Sequence, residues 1–305
     1  MVYARGSARP ISQLTWMDRT GKQVGTVGEP GDYFNIALSP DEKRVAVTLL
    51  TGTPENRDVW LIDLVRSVSS RLTSDPANDV LPTWSPDGSK ITFGSTRQPF
   101  GIYVRDASGS GEDELLLKGD EGTNPLDWSR DGRFILYFTY LTQLPGLGFS
   151  LGVLPTTGDK KPYPLLQSKF SNDHGAFSPD ARWVAYTSNE SGRDDVYVQP
   201  IPPTGAKYRI SRNGGTQPMW RSDGRELFFL APDSTMMAVQ ISTTHGFEAG
   251  IPQTLFVSGA VNFTGNRPQY AVAKDGQRFL INLPQQRAMP TPLTVVTNWQ
   301  APAQR

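Results

Sequence analysis

A four-residue motif that recurs six times constrains the fold of this 305-residue chain more than any other feature. Each copy follows an apolar or aromatic residue and precedes a β-rich run, so each predicts two strands joined by a tight turn. The aspartates of successive copies lie 46, 44, 49, 43 and 52 residues apart. Four copies are clear and the last two are degenerate: Ser39-Pro40-Asp41-Glu42, Ser85-Pro86-Asp87-Gly88, Ser129-Arg130-Asp131-Gly132, Ser178-Pro179-Asp180-Ala181, Arg221-Ser222-Asp223-Gly224 and Ala273-Lys274-Asp275-Gly276.

The residue types of this motif are those that a tight turn requires. Proline presets φ at the first corner, and the aspartate side chain accepts hydrogen bonds from nearby backbone N–H groups. Glycine takes the position with positive φ at no steric cost. Glu42 and Ala181 stand where the other copies have glycine, so we expect backbone strain or another turn type at these two positions.

Two further β-rich segments lie between successive motifs, for example at 59–63 and 71–73 after the first copy. Four strands in a period of about 45 residues are typical of one blade of a β-propeller and not of a helical solenoid. The 29 glycines and 25 prolines agree with many short strands and turns. The chain is therefore predicted to be all-β, a six-bladed β-propeller with four-stranded antiparallel blades.

The two ends of the chain predict how this ring closes. β-rich segments at 14–17 and 24–27 precede the first motif, while those at 269–272, 279–281 and 293–296 flank or follow the last one. We expect the last blade to combine strands from both termini, because such closure removes an exposed sheet edge. The sequence does not indicate which amino-terminal strand takes the outer place.

The predicted propeller spans residues 14–299, between an N-terminal extension at 1–13 with a partial strand and a C-terminal tail at 300–305. The first residues lack the apolar core of a signal peptide and resemble a strand entered midway. We therefore expect the chain to be cut from a longer one. No apolar run approaches the roughly 18 residues that a membrane span needs, so we expect no span in this chain.

Charge and cysteine content exclude several classes of function. The 30 basic and 30 acidic side chains give a formal net charge of zero, whereas affinity for nucleic acid depends on clustered Lys and Arg. Nucleic acid is therefore not an expected partner. The chain has no cysteine, which excludes disulfides, thiolate zinc sites and a cysteine nucleophile but leaves the redox compartment open.

The repeat carries a family resemblance. The chain resembles TolB-type propellers built from Ser-Pro-Asp-Gly repeats, and the stretch that begins at Phe177-Ser178-Pro179-Asp180 is especially close to a typical repeat. More narrowly, the segments at 13–22 and 293–299 resemble the carboxy-terminal propeller of large bacterial serine/threonine protein kinases of the acidobacterial kind. That resemblance implies a kinase domain upstream. Because propellers serve adaptors, sensors, lyases and peptidase gates alike, the repeat predicts the fold and not the activity.

The search for catalytic groups yields little. Gly148-Phe149-Ser150-Leu151-Gly152 matches the nucleophile elbow, but a strand and not a helix is predicted after it, so the match lacks its structural context. His174 and His245 are the only histidines, and neither belongs to a spacing that binds zinc. We expect no catalytic residue, no metal and no cofactor in this chain.

In each predicted blade, polar residues lie just before the innermost strand or are its first residues. In propellers this position opens onto the mouth of the central channel, so these side chains predict a site for a small polar ligand or a protein partner. The alternative is that Asn and Asp stabilise turns there, and that His174 is held by a backbone carbonyl. The candidate residues are Asn35, Asn78, Asp79, Asn124, Asp173, His174, Gln217 and Arg267.

The loops between second and third strands are expected on the same face. They carry Arg57, Arg97 and Arg193 beside aspartates, a combination that binds acidic partners through bidentate hydrogen bonds or, more commonly, ties neighbouring blades together. The longest of these loops contains Leu144 and Leu147 among several apolar residues. It predicts a patch for a protein partner or a lid over the channel.

These observations favour a non-catalytic binding or scaffolding module, either a sensor joined to a bacterial kinase or a TolB-like docking domain. The alternative is an enzyme or part of one, namely a channel-mouth lyase that uses His174 and a metal, or the gating propeller of a prolyl-oligopeptidase-like peptidase. We expect a monomer or a part of a larger chain. The compartment stays open, with an extracytoplasmic or periplasmic bacterial location favoured slightly over a cytoplasmic one.

Overall fold

The computed structural model describes residues 11–52, 56–120, 122–140, 148–166, 168–260 and 267–285. These residues form strands and turns without any helix, so the all-β prediction is confirmed. No described segment is a helix long and apolar enough to cross a membrane. The strands are β1 (Ser12–Asp18), β2 (Gln23–Gly31), β3 (Tyr33–Leu38), β4 (Arg44–Thr51), β5 (Asn56–Asp63), β6 (Val68–Arg71), β7 (Asp79–Trp84), β8 (Lys90–Ser95), β9 (Gly101–Asp106), β10 (Glu114–Lys118), β11 (Asn124–Trp128), β12 (Phe134–Tyr140), β13 (Phe149–Pro155), β14 (Tyr163–Pro164), β15 (Asn172–Phe177), β16 (Trp183–Ser188), β17 (Asp195–Pro200), β18 (Tyr208–Arg209), β19 (Thr216–Trp220), β20 (Glu226–Leu230), β21 (Thr235–Ser242), β22 (Glu248–Ala249), β23 (Gln253–Val257), β24 (Tyr270–Val272) and β25 (Arg278–Pro284).

The strands assemble into six antiparallel blades, as predicted. Blades 1 to 5 begin with β3, β7, β11, β15 and β19, and each takes the next three strands in chain order. In blade 5 a further strand, β23, also pairs with β21. The first strand of each blade is the innermost one, and each innermost strand contacts that of the next blade around a closed ring.

The sixth blade joins the two ends of the chain. Its order from the outside inwards is β2, β1, β25, β24, so two amino-terminal strands cover two carboxy-terminal ones. β1 pairs with β25 without a break from Ser12↔Pro284 to Asp18↔Arg278. The prediction of a blade built from both termini is confirmed, and β2 is the outer strand. The predicted strand at 293–296 lies outside the described residues.

The motif turns have one repeated geometry. In the four clear copies the serine hydroxyl donates to the aspartate Oδ1 at 2.6–2.7 Å and accepts the backbone N–H of the residue five positions later at 2.9–3.0 Å. Glu42 and Ala181 have φ values of 59° and 55°, close to the 71° of Gly88. These two turns therefore keep the glycine conformation and accept its steric cost, which is the strain predicted there.

Apolar side chains fill the spaces between neighbouring blades. Trp84 of blade 2 donates its indole N–H to the carbonyl of Ala37 in blade 1 at 3.0 Å, and Trp220 of blade 5 donates to Ala176 of blade 4 at 3.2 Å. Trp60 and Trp183 pack against further inter-blade clusters. Trp84 and Trp220 thus connect adjacent blades, and Trp60 and Trp183 contribute to the apolar packing between blades.

Candidate functional site in the central channel

A cavity of about 520 Å³ lies on the axis of the ring and is lined by residues from the innermost strand of every blade. The motif turns surround one end of it, where Pro40, Pro86 and Pro179 form part of the wall. The opposite end, where the innermost strands begin, is called the channel mouth below. A pocket on a propeller axis is a common place for a ligand, because all blades contribute side chains to it.

The channel mouth is lined by residues at one equivalent position of blades 1 to 5: Asn35, Leu81, Pro125, His174 and Gln217. Three of them adopt positive φ although they are not glycine, with 57° at Leu81, 48° at His174 and 57° at Gln217. Each of these three lies within a register irregularity between the first two strands of its blade. Such bulges redirect side chains, and backbone strain of this kind accumulates at functional sites.

Two buried amides at the mouth have hydrogen-bonding capacity to spare. Asn35 and Gln217 are each 2% exposed, and Asn35 Oδ1 and Gln217 Nε2 have no hydrogen-bond partner within the described residues. Gln217 is nevertheless fixed, since its Oε1 accepts the backbone N–H of Gln269 at 2.8 Å. The Tyr270 hydroxyl donates to the Gln217 carbonyl at 2.6 Å. Because an unpaired buried polar atom is costly, these atoms favour a bound polar group.

The blade 4 side of the mouth is acidic. His174 Nδ1 lies 2.8 Å from Asp173 Oδ1, and His174 is buried. Burial and the nearby charge of Asp173 raise the pKa of Asp194 above its ordinary value, although His174 acts in the opposite direction. Carboxylates therefore gather where blade 4 meets the mouth.

The side formed by blades 1 and 6 is basic. The guanidinium groups of Arg57 and Arg267 lie over the ring of Phe34, at 4.4 and 3.9 Å from its centroid. Arg57 Nη2 is 3.7 Å from Asp32 Oδ1. Burial and the charge of Arg57 lower the pKa of Arg267. Since blade 1 is opposite blade 4 in a ring of six, the mouth has positive and negative sides.

Several predicted residues lie away from the channel. Asn78 is exposed and its Oδ1 accepts the backbone N–H of Arg57 at 3.0 Å, while Asn124 lines a separate crevice of about 300 Å³ beside Gly94. Buried Asp79 binds Arg97 at 2.8 Å. The structure thus places three of the eight predicted mouth residues, Asn35, His174 and Gln217, in the channel wall.

The arginines of the second-to-third strand loops contact carboxylates of their own blades. Arg97 lies within 2.6–3.7 Å of Asp75, Asp79 and Asp113, all in or next to blade 2. Arg193 is half exposed and lies 3.4 Å from the carboxylate of Asp195 in blade 4. Leu144 and Leu147 fall outside the described residues.

The possible catalytic groups lie apart from one another. Ser150 is the second residue of β13 and its hydroxyl donates to the Leu166 carbonyl at 3.1 Å, so it lies in a strand as predicted. His245 is exposed. The described residues contain no group of three or more His, Cys, Asp or Glu side chains that could hold a metal ion.

One channel residue was missed by the sequence analysis. Asp127 lies two residues further along β11 than Pro125, and its carboxylate lies in the channel wall. Desolvation raises its pKa to about 6, even though hydrogen bonds from the Phe177 and Trp128 backbones act to lower it. Alignment of the six repeats could have revealed Asp127, because the residues at the equivalent position of the other five blades are uncharged.

Comparison with known proteins agrees with this architecture. Residues 13–145 match the model of the TolB beta propeller domain. The chain is a six-bladed β-propeller that is similar to the TolB propeller domain over this part of its length. A segment of 58 residues is 40% identical to the Tol-Pal system protein TolB of Anaeromyxobacter dehalogenans, and it covers 19% of this chain and 13% of that relative.

Solved structures extend the likeness to nearly the whole chain. A TolB-type structure from Agrobacterium tumefaciens superposes with a TM-score of 0.68 and 18% identity, covering 92% of this chain and 100% of that one. An oligogalacturonate lyase in complex with manganese gives a TM-score of 0.55 and 14% identity, covering 93% of this chain and 99% of that one. At these identities the likeness concerns the fold alone.

Proposed function

We propose that this chain is a non-catalytic binding module whose channel mouth holds a small polar ligand or the end of a partner's polypeptide chain. The observation that carries the proposal is a pair of buried amides in the channel wall, Asn35 and Gln217, each of which has a buried side-chain atom without a hydrogen-bond partner in the described residues. A bound amide group fits this pair better than a carboxylate, because Asn35 Oδ1 lacks a donor and Gln217 Nε2 lacks an acceptor. The strained residues at the same level support this assignment.

We further propose a protein-docking or sensing context for this module. The match to the TolB propeller model supports a TolB-like interaction domain outside the cytoplasm. The resemblance of 13–22 and 293–299 to the propellers of bacterial serine/threonine kinases supports a sensor joined to a kinase domain instead. Sequencing the reading frame upstream of Met1 separates the two, because a kinase would show its Gly-rich loop and His-Arg-Asp catalytic loop.

Selection of peptides against the purified chain tests the binding function. A phage library of random heptapeptides with free amino termini is selected on the wild type, and individual peptides are then measured by isothermal titration. The double variant Asn35→Leu with Gln217→Leu should weaken their binding at least tenfold, since it removes both amides from the mouth. Asn78→Leu, at an exposed pre-strand position outside the channel, should change the affinity less than twofold.

Two results would overturn the binding function at the channel mouth. One is a set of selected peptides that bind the double variant as tightly as the wild type, which would locate binding elsewhere. The other is turnover of a substrate by the purified chain. The likeness to the manganese-bound lyase makes oligogalacturonate with Mn²⁺ the appropriate substrate for that second measurement.

A further inference from the structure

Asp127 is the only charged member of its layer of the channel. The equivalent residues of the other five blades are small or uncharged, so a single carboxylate faces a space bounded by apolar groups and hydroxyls. These residues are Ala37, Thr83, Ala176, Met219 and Ala271. The layer lies two residues below the mouth, which corresponds to about 7 Å along a strand.

Backbone geometry fixes the carboxylate in the channel. Ser129 and Ser178 donate their N–H groups to the second strands of blades 3 and 4, at 2.8 Å from Phe134 O and Trp183 O. Because N–H groups alternate in direction along a strand, those of the preceding residues, Trp128 and Phe177, point towards the axis. Asp127 accepts both of them, with Oδ1 at 2.8 Å from Trp128 N and Oδ2 at 2.7 Å from Phe177 N.

No Lys or Arg of the described residues forms a close ion pair with this carboxylate, although the charge of Arg130 acts to lower its pKa. Arg130 lines the same channel at its turn end, but its guanidinium donates to the Ser222 carbonyl of blade 5 at 2.7 Å. Two N–H bonds leave lone pairs free on both oxygens of Asp127. A partly buried carboxylate without a counter-ion is costly, so a bound cation would stabilise it.

We propose that the channel binds a primary ammonium group, with Asp127 as its counter-ion and the Asn35 and Gln217 amides holding the atoms that follow it. An ammonium group has three donors, enough for Asp127 and for one further acceptor. In a peptide that enters by its amino terminus, the first amide groups would then lie at the level of the mouth. The Asn35 and Gln217 side chains, which belong to the wall at that level, would hydrogen-bond to these amide groups. This inference rests on the proposed binding function and gives its ligand a chemical class.

The charges around the mouth also favour entry of a peptide by its amino terminus. Blade 4, which carries Asp173 at the mouth, adjoins blade 3, and the Phe177 N–H of blade 4 binds the Asp127 carboxylate of blade 3 directly. A metal ion is the less fitting cation, because hard divalent cations take six or more oxygen ligands and the described residues offer no acidic cluster. An anion would be repelled by Asp127 from the same space.

Two peptides that differ only in their charge test the inference by isothermal titration. Triglycine amide carries a free ammonium group, whereas N-acetyl-triglycine amide has the same backbone without it. The free amine should bind the wild type at least tenfold more tightly. Asp127→Asn should abolish that difference, and Glu42→Gln should preserve it within twofold, because Glu42 is a carboxylate at the turn end of the same channel.

The pH dependence of wild-type binding gives a second measurement if Asp127→Asn does not fold. Since desolvation raises the pKa of Asp127 to about 6, the affinity for the free amine should be about tenfold lower at pH 5 than at pH 7.5. The acetylated peptide should show no such loss. The other titratable or charged groups that line the channel are Glu42, Arg130, His174 and Lys274, and Asp173 contacts His174. Because His174 lines the same channel, His174→Gln is measured in parallel and should show the same loss of affinity as the wild type.

The outcomes separate this inference from the proposed function. If neither peptide binds, and the selected heptapeptides also bind outside the channel, the proposed function fails. If both peptides bind equally, or if Asp127→Asn keeps the preference for the free amine, the ammonium inference is overturned while the binding function stands. Putrescine, a small amine that is not a peptide, serves as a third probe. Tight binding of putrescine that depends on Asp127 would identify a free amine as the ligand that supplies the ammonium group. If putrescine does not bind while triglycine amide does, the ammonium group belongs to the amino terminus of a peptide.

Discussion

At the scale of the residue, the Ser-x-Asp unit determines the turns. Its serine joins the aspartate and the start of the second strand through two hydrogen bonds, and four of the six copies have it. In the two degenerate copies Arg221 and Ala273 replace the serine, and Arg221 instead forms an ion pair with Asp223. The sequence predicted these turns because their geometry is local. The conformation at Glu42 and Ala181 shows that the rest of the unit holds the turn even without glycine.

Replacing one of these serines measures the strength of the unit. In Ser85→Ala, both hydrogen bonds of a buried hydroxyl are lost, so the free energy of unfolding should fall by about 1–3 kcal/mol. Urea denaturation followed by tryptophan fluorescence measures this change. Ser108→Ala, in an exposed hairpin, is the control and should change stability by less than about 0.5 kcal/mol. Equal effects of both variants would contradict a structural role for the motif serine.

The limit of sequence reasoning at this scale is the channel wall. Polar residues before a strand are visible in the sequence, but bulges in the innermost strands decide which of them reach the axis. Asn78 and Asn124 precede the channel position, which Leu81 and Pro125 occupy in their blades. Asp127 was missed because it lies within a strand, where no turn or motif draws attention to a carboxylate.

At the scale of the element, closure of the sixth blade is fixed by β1. Both amino-terminal segments have strand-like patterns, so the sequence alone left their order open. The continuous pairing of β1 with β25 decides it. The turn after β1 also reaches the neighbouring blade, where Arg19 makes two hydrogen bonds of 2.9 and 3.0 Å to the buried carboxylate of Glu226. Arg19 donates in addition to the Gly276 carbonyl at 3.0 Å.

Loss of this tie should weaken ring closure. Arg19→Met keeps the apolar stem of the side chain and leaves Glu226, among the described residues, with Arg221 and Gln240 as its remaining partners. We expect the free energy of unfolding to fall by about 1–3 kcal/mol, less than for a fully buried pair, because Arg19 is 26% exposed. Thermal and urea denaturation measure the loss. Arg66→Met, at an exposed turn of blade 1, should have almost no effect, and a similar loss there would rule out the closure interpretation.

At the scale of the whole molecule, a formal net charge of zero conceals a separation of charge across the channel mouth. Blades 1 and 6 contribute Arg57 and Arg267, while blade 4 contributes Asp173 and Asp194. Composition could not reveal this, because it depends on which blades face each other in the closed ring. A dipolar mouth orients a dipolar ligand, which suits a binding module better than a uniformly charged one would.

The proposed site should also appear in the stability of the whole fold. Desolvation raises the pKa of Asp127 to about 6, so the folded state holds a proton that the unfolded state releases between about pH 4 and pH 6. Wild-type stability should therefore decrease as the pH rises through that range, by at most about 3 kcal/mol from this group. Asp87 of the second motif turn acts in the opposite direction only below about pH 5, since hydrogen bonds from Ser85 and the Ser89 backbone lower its pKa to about 2 and its stabilisation is complete above that pH.

Asp127→Thr, which introduces the residue type of Thr83 in blade 2, should remove that decrease. Relative to the wild type, the variant should gain about 2 kcal/mol between pH 4.5 and pH 7, whatever the cost of its lost hydrogen bonds at either pH. Urea denaturation at the two pH values measures the change, and Asp233→Asn, at an exposed position of the β20–β21 loop, is the control. A constant difference between wild type and variant would mean that Asp127 is ionised throughout. The predicted gain in stability would mean that the Asp127 carboxylate destabilises the folded protein at neutral pH. A residue that binds a ligand commonly has such a cost in stability.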